Sequence, residues 1–248
     1  MHKQEIDYKQ FVIIVAGGLG VRMGISTPKQ FLCINNKPIL MHTIQKFYDY
    51  NNNINIILVL PPHHFSTWEN ICLKYNFILN HTTVAGGDTR YQSVKNGLDA
   101  IKFNCLIAVH DAVRPLVSTS LIEKCFTVAK NKGNAIPCIG VNETVMEISP
   151  NGSKQLNRNN IKLIQTPQVF DSEMLQTAYK LPYKINFTDD ASVVENAGFK
   201  LNFVEGEEQN IKITTELDLK LGKFYLSYKW NIKNTNKKTF SYEGFFVY

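Results

Sequence analysis

The stretch "FVIIVAGGLGVRMGISTPKQF", residues 11–31, decides the fold of this chain. It begins with a continuous apolar run and passes into a loop that holds four glycines, Arg22 and Lys29. A continuous apolar run is typical of a strand buried on both faces of a parallel sheet. Glycines directly after such a strand let backbone N–H groups approach an anion closely. The stretch therefore predicts a buried strand that leads into a phosphate-binding loop.

The loop differs from the two most familiar phosphate-binding motifs. In a dinucleotide fingerprint that starts at Gly18, the sixth position would be Met23 rather than glycine, and no acidic residue follows about twenty residues later. A Walker loop requires a hydroxyl residue after its lysine, whereas Lys29 is followed by Gln30. What remains is a glycine-rich loop with two cations, Arg22 and Lys29, spaced to span a polyphosphate.

Apolar runs and helical patterns alternate through the first half of the chain. We expect buried strands at 11–16, 54–60, 82–86 and 105–110, with helices at 38–50, 65–76 and 89–102. This rhythm predicts an α/β fold, a Rossmann-like, mostly parallel sheet flanked by helices. Ligands in such folds bind beyond the carboxyl ends of the strands. The loops after Ala16, Gly86 and His110 are therefore expected in one crevice.

The pattern changes after Gly140. Short strands are expected at 145–148, 154–157 and 161–165, with Asn151-Gly152 as a hairpin turn. We interpret residues 142–165 as an inserted β-arm that forms a homodimer contact, and a surface flap on a monomer is the alternative. Helices are expected at 171–181, 189–197 and from about 215, with a strand at 200–204. The prediction is a single domain over 1–222, followed by a basic, aromatic tail at 223–248.

Composition restricts the possible partners and the cellular location. The chain of 248 residues has a formal charge of +6, and five lysines against one acid give the tail +4 of it, which leaves +2 for the rest. So small a charge gives little support to nucleic-acid binding. Five scattered cysteines without a CxxC pair indicate reduced thiols, and no apolar run is long enough to span a membrane. We therefore expect a cytoplasmic protein without membrane or nucleic-acid partners.

Five further motifs follow the first loop in order: "GGDTRYQSVKNGL" (86–98), "VHDAVRPL" (109–116), "QTPQVF" (165–170), "TDDASVVE" (188–195) and "NIKITTELDL" (210–219). With the first loop, they make residues 11–222 resemble the 2-C-methyl-D-erythritol 4-phosphate cytidylyltransferase family of isoprenoid biosynthesis. The resemblance implies the nucleotide-diphospho-sugar transferase type of fold. It also implies transfer of a cytidylyl group from CTP to 2-C-methyl-D-erythritol 4-phosphate, giving 4-diphosphocytidyl-2-C-methyl-D-erythritol and pyrophosphate.

The resemblance also implies roles for individual residues. Arg22, Lys29 and Lys212 would be catalytic, holding the triphosphate and stabilising charge in the transition state. Asp111 would bind Mg²⁺, a cation that prefers oxygen ligands. CTP binding would fall to Ala16, Gly17, Gly18, Gly87, Asp88 and Ser93. The acceptor would be bound by Arg114, Thr144, Arg158, Thr166 and Thr188.

The arm is the place where the sequence departs from the family. The resemblance puts Thr144 and Arg158 on the arm, reaching into the site of the partner subunit. The family often has a lysine or arginine soon after the position matched by Thr144. This chain has Val145 and Met146 there instead. The two arm assignments are therefore the ones that the sequence supports least.

Other residues and other functions stay open at this stage. Asp189 and Asp190 are expected to cap a helix rather than to catalyse, and His110 to be structural. A ribitol 5-phosphate cytidylyltransferase would share the CTP loops, although "TRYQSVKNGL" and "TDDASVVE" favour the methylerythritol enzyme. A non-catalytic nucleotide- or nucleic-acid-binding module is the alternative from another class, suggested by the basic, aromatic tail.

Overall fold

The computed structural model describes residues 8–17 and 27–234, so Gly18 and Arg22 lie outside the described residues. The described residues form twelve strands and seven α-helices. The strands are β1 (Lys9–Val15), β2 (Cys33–Ile34), β3 (Lys37–Pro38), β4 (Asn55–Leu60), β5 (Thr82–Ala85), β6 (Cys105–Asp111), β7 (Asn134–Gly140), β8 (Val145–Ser149), β9 (Gly152–Leu156), β10 (Lys162–Ile164), β11 (Gln168–Asp171) and β12 (Phe203–Glu205). The helices are α1 (Ile39–Tyr50), α2 (Phe65–Lys74), α3 (Arg90–Asp99), α4 (Thr119–Lys132), α5 (Ser172–Ala178), α6 (Asp190–Asn196) and α7 (Glu216–Asn234).

The main sheet has a parallel centre and an antiparallel side. Its order is β10-β7-β11-β6-β1-β4-β5, with β12 also paired to β7. Strand β1 lies at the centre, where Ile13 pairs with Ile57 of β4 on one side and Val109 of β6 on the other, both in parallel. After β5 the chain crosses back over β1 to form β6, so the strand order reverses beside β1. The predicted mostly parallel α/β sheet is confirmed.

Helices cover both faces of this sheet, because successive residues of each central strand point to opposite faces. Val12 and Ile14 of β1 belong to the core shared with α1, α2 and α4. Phe11 and Ile13 belong to the core shared with α3, α5 and α6. The burial of β1 on both faces explains its continuous apolar sequence.

Two details of the expected strands are wrong. Strand β5 was expected to be buried on both faces, but it is the edge strand beside β4, and its residues are exposed or half-buried. The hairpin turn of the arm lies one residue earlier than expected, at Pro150-Asn151, with Ser149 paired to Gly152. In a turn over residues 149–152, proline is favoured at the second position, because its ring fixes φ, and glycine is favoured at the last. Pro150 and Gly152 occupy these positions, and Gly152 has a φ of 130°.

The arm extends from the main body of the fold, whereas the last helix packs on that body through Leu219 and Leu226. Strands β8 and β9 form a separate two-stranded sheet, and Ile148 at the arm is 76% exposed. Helix α7 continues through the expected boundary at residue 222 to Asn234. Within the described ranges, no helix is long and apolar enough to cross a membrane. The homodimer contact through the arm stays a prediction.

Candidate active site

A cavity of about 380 Å³ opens at the carboxyl ends of β1 and β6, where the strand order reverses. Its walls come from the loops after β1, β5 and β6 and from the segment before α7, which confirms that the predicted loops share one crevice. The lining residues are Val15, Ala16, Gly17, Lys29, Gln30, Gly87, Asp88, Thr89, Arg90, Ser93, Asp111, Ala112, Val113, Lys212, Ile213 and Thr214. All five of the predicted CTP-binding residues that the structure describes line this cavity.

The loop after β5 is held rigidly against α3. The backbone N–H of Gly87 donates to Oγ of Ser93 at 3.1 Å, and Thr89 caps α3 by accepting from the N–H of Gln92. A Cβ on Gly87 would collide with the side chain of Gln92. Glycine at this position therefore allows the loop to fold tightly onto the first turn of α3, beside the cavity.

Lys29 enters the cavity from a short 3₁₀ turn at Lys29–Phe31. Gln30 anchors this turn by donating from Nε2 to the carbonyl oxygen of Ala16 at 3.0 Å. Phe31 stacks on Trp68, with ring centroids 6.2 Å apart. The Lys29 side chain is thereby directed so that Nζ donates to the carbonyl oxygen of Thr214 at 2.7 Å, and the residue is only 9% exposed.

Asp111, the last residue of β6, is surrounded by three cations. Nζ of Lys212 lies 3.1 Å and Nε of Arg114 lies 3.2 Å from Oδ2, while Nε of Arg90 lies 3.8 Å from Oδ1. Burial by itself would raise the pKa of the Asp111 carboxyl, but the charges of Arg90, Lys212 and Arg114 outweigh it and hold that pKa well below its ordinary value. Asp111 is therefore ionised at neutral pH.

A buried hydrogen-bond chain fixes the backbone at Asp111. Its N–H donates to Oγ1 of Thr166 at 3.1 Å, and Thr166 Oγ1 lies 3.1 Å from Nδ1 of His110. Nε2 of His110 must donate to the carbonyl oxygen of Arg114, 3.1 Å away, so Nδ1 accepts from the threonine hydroxyl. Burial lowers the pKa of His110 to about 4. His110 is thus neutral and structural, as expected.

Thr166 therefore lies beneath the cavity rather than in its lining. It is only 4% exposed, and its carbonyl oxygen accepts from Nδ2 of Asn210. Its predicted contact with the acceptor phosphate is not tested by this arrangement and stays a prediction.

Arg90 was not among the site residues expected from the sequence. Nη2 of Arg90 forms an ion pair of 2.6 Å with Oδ2 of Asp190, a fully buried residue. The expectation that both aspartates cap α6 is half right. Asp189 is the cap and accepts from the N–H of Ser192, whereas Asp190 is the first helical residue and binds Arg90.

The segment before α7 closes the cavity. The carboxylate of Asp218 accepts from the N–H and hydroxyl of Thr214 and from the N–H of Thr215, at 2.7–2.9 Å. Ile213 donates from its N–H to the carbonyl oxygen of Val113 at 2.9 Å. These bonds hold the segment that carries Lys212 against the loop after β6.

Known protein families and relatives agree with this arrangement of residues. A model of the family "2-C-methyl-D-erythritol 4-phosphate cytidylyltransferase" matches residues 10–228. The chain belongs to this family. A relative of that name from Phocaeicola vulgatus is 49% identical over 210 residues, covering 85% of this chain and 96% of the relative. Another, from Porphyromonas gingivalis, is 44% identical and covers 90% of this chain and 100% of the relative.

Solved structures of the family share the fold. The 4-diphosphocytidyl-2C-methyl-D-erythritol synthase of Anaerococcus prevotii superposes with a TM-score of 0.75 at 28% identity, covering 89% of this chain and 99% of that one. The Francisella tularensis 2-C-methyl-D-erythritol 4-phosphate cytidylyltransferase gives 0.73 at 35% identity, covering 88% and 99%. The chain is therefore a cytidylyltransferase of the family that acts in isoprenoid biosynthesis.

Apart from Thr166, the predicted acceptor-binding residues are found in three places. Arg114 lies beside the cavity but outside its lining, where it contacts Asp111 and donates from Nη1 to the carbonyl oxygen of Asn210 at 2.7 Å. Thr188 is exposed just before α6. Thr144 and Arg158 line a separate depression on the arm. Within one subunit, the described chain does not bring the arm residues into the cavity at Asp111.

The cavity fits a metal that arrives with phosphate. In the part of the chain that the structure describes, no group of three or more His, Cys, Asp or Glu side chains could hold a metal ion alone. Asp111 supplies one ionised carboxylate, and Mg²⁺ is commonly bound by one or two carboxylates together with waters and substrate phosphates. Lys29, Arg90 and Lys212 give the lining more positive than negative side chains, which suits a triphosphate.

Proposed function

We propose that this chain transfers the cytidylyl group of CTP to 2-C-methyl-D-erythritol 4-phosphate. An oxygen of the acceptor phosphate attacks the α-phosphorus, the bond to the β-phosphate breaks, and pyrophosphate leaves. The observation that carries the proposal is the convergence of Lys29 and Lys212 on one cavity beside Asp111, in a chain of this family. No covalent intermediate is needed, because positioning and charge stabilisation supply the catalysis.

The roles of the cations follow from their placement. Lys29 and Lys212 both line the cavity, where they would neutralise charge that builds up on the α-phosphoryl oxygens and the leaving group. Arg22 would hold the triphosphate from the loop after β1, outside the described residues. Arg114 would contact the acceptor.

Cytosine would be read by the loops after β1 and β5. Ala16, Gly17, Gly87, Asp88 and Ser93 all line the cavity. Gly18 would complete the loop outside the described residues. The contacts proposed for the base are hydrogen bonds to its amino group and ring acceptors, which backbone carbonyls, amides and a hydroxyl can supply.

We also propose Mg²⁺ as the cofactor, held by Asp111 together with oxygens of the nucleotide. When bound, the ion would neutralise phosphate charge and orient the triphosphate. Lys212 and Arg114 now occupy Oδ2 of Asp111, so an ion bound there would require Lys212 to move toward the phosphates. Its side chain is 44% exposed and has room to do so.

Pyrophosphate release tests the reaction and the acceptor together. CTP and Mg²⁺ are supplied with 2-C-methyl-D-erythritol 4-phosphate or with ribitol 5-phosphate, side by side. Release only with the methylerythritol phosphate is expected. Release only with ribitol phosphate would keep the mechanism but change the acceptor, and no release with either would contradict the proposal.

Finally, we propose that the arm completes the site of a second subunit in a homodimer. Thr144 and Arg158 share a depression on the arm, away from Asp111. Lys29→Met and Arg158→Gln subunits, each inactive alone, should therefore regain activity when unfolded and refolded together. Random pairing makes about half of the dimers mixed. If the arm crosses over, one site of each mixed dimer carries both defects and the other carries none, so about a quarter of all sites are intact. No recovery would mean that the arm serves its own subunit.

A further inference from the structure

Arg90 joins two carboxylates that come from distant parts of the chain. On one side, its Nη2 contacts Oδ2 of Asp190 at 2.6 Å, and on the other its Nε lies 3.8 Å from Oδ1 of Asp111. Asp190 begins α6, Arg90 begins α3 and Asp111 ends β6. The guanidinium therefore connects the base-binding loop, the loop with Thr188 and the proposed metal-binding carboxylate.

Asp190 fixes Arg90 firmly. Asp190 is fully buried, and each of its two carboxylate oxygens accepts one hydrogen bond. Oδ2 accepts from Arg90, and Oδ1 accepts from the hydroxyl of Tyr179 at 2.7 Å. A buried carboxylate is costly unless it is paired and hydrogen-bonded, so this pair is strongly held. Tyr91 stacks on Tyr179 with ring centroids 4.7 Å apart and closes the apolar side.

The two oxygens of Asp111 have different partners. Lys212 and Arg114 contact Oδ2, while Arg90 faces Oδ1. Lys212 is the most exposed of the three cations and carries a proposed role at the α-phosphate. Arg90 is held from behind by Asp190, so it can keep its place when Lys212 turns to the nucleotide.

We propose that Arg90, held by Asp190, is a positioning residue that fixes the orientation of the Asp111 carboxylate during cytidylyl transfer. It acts through Asp111 and not by contact with the reacting atoms. The inference rests on the proposed function of Asp111, and it assigns a catalytic consequence to the ion pair between Arg90, which lines the cavity, and the buried Asp190.

The test compares Arg90→Gln, Arg90→Lys, Asp190→Asn and the double variant Arg90→Gln/Asp190→Asn. Lys124→Gln is the control, since it removes a cation from the surface pair with Glu205. For each, kcat and KM are measured by pyrophosphate release, CTP affinity by calorimetry with Mg²⁺, and the free energy of unfolding with urea. Arg90→Gln and Asp190→Asn should each lower kcat about 10- to 100-fold, the usual effect of removing a partner behind a metal ligand.

The double variant separates positioning from folding. Arg90→Gln alone leaves Asp190 as an unpaired buried charge and should lower stability, whereas the double variant removes that charge and should recover stability. We expect kcat to stay low in the double variant and CTP affinity to remain within about threefold of the wild type, while Arg90→Lys recovers part of kcat because it keeps one charge-assisted bond.

Recovery of kcat together with stability in the double variant would overturn the proposal and leave the pair a purely structural role. Loss of CTP affinity that matches the loss of kcat would overturn it too, since Arg90 would then bind nucleotide directly. A wild-type chain that releases no pyrophosphate would instead contradict the proposed function. Normal wild-type turnover with an unimpaired Arg90→Gln variant would contradict only the positioning role.

Discussion

Replacing Lys29 by methionine removes one ammonium from the cavity and keeps most of the side-chain volume. Lys29 is 9% exposed and its Nζ donates to the carbonyl oxygen of Thr214. The lost hydrogen bond should lower the free energy of unfolding by about 0.5–1.5 kcal/mol. Loss of a donor that stabilises transition-state charge typically lowers kcat by about 100- to 1,000-fold, or roughly 2.7–4 kcal/mol. The effect on turnover should therefore exceed the effect on stability.

The assay is pyrophosphate release with saturating CTP and 2-C-methyl-D-erythritol 4-phosphate, with kcat and the KM for CTP fitted separately. Lys95→Met is a matched control, because Nζ of Lys95 also donates to a backbone carbonyl oxygen, that of Tyr179 at 3.3 Å, outside the cavity lining. Its kcat should stay within about twofold, as expected for a change away from the site. An increase in KM at unchanged kcat in Lys29→Met would refute the reasoning and make Lys29 a ground-state anchor.

Three further predictions concern other residues. Asp111→Asn should abolish turnover but leave metal-free CTP binding as tight or tighter by calorimetry, because the cavity becomes more positive. Asp218→Asn should lower kcat and thermal stability. Burial would raise the pKa of Asp218, but its hydrogen bonds to Thr214 and Thr215 lower it. The stability difference between wild type and Asp218→Asn should therefore be constant above the ordinary carboxyl pKa and shrink as acid protonates the folded wild type, measured by thermal melts. Mass spectrometry after iodoacetamide labelling of the native protein should find Cys33 modified before Cys125, because Cys33 is exposed and burial raises the pKa of Cys125 to about 12.

The sequence predicted the centre of the fold because burial leaves a strong mark on composition. Residues 11–16 and 105–110 form continuous apolar runs, and both are strands buried on two faces. The run at 82–86, "TTVAG", contains two threonines and forms edge strand β5. Its place at the edge depends on which distant segments pair with it, and the run itself does not encode those partners. Strand β7, which belongs to the antiparallel side of the sheet, was not predicted, and neither was helix α4, which packs against it.

Site residues that belong to a single sequence motif were predictable. Contacts between residues of two different motifs were not. Lys29, Asp111 and Lys212 follow from their motifs, and all three line the cavity. The pair of Arg90 and Asp190 joins residues 100 positions apart. In the sequence, Asp190 follows Asp189 before a helix, and that pattern alone indicates a cap. The contact becomes visible only when α3 and α6 pack on the same face of the sheet.

The segment 210–214 explains how loops from opposite sides of the switch point form one site. Its carbonyl oxygens at Asn210 and Thr214 accept from Arg114 and Lys29, and Ile213 pairs with Val113. One short segment therefore holds a cation from the loop after β1 and a cation from the loop after β6. Such anchoring fixes the donors before the nucleotide binds, which reduces the reorganisation needed when charge develops on the phosphates. Because Lys212 lies within this segment, any change that loosens it should disturb all three cations together.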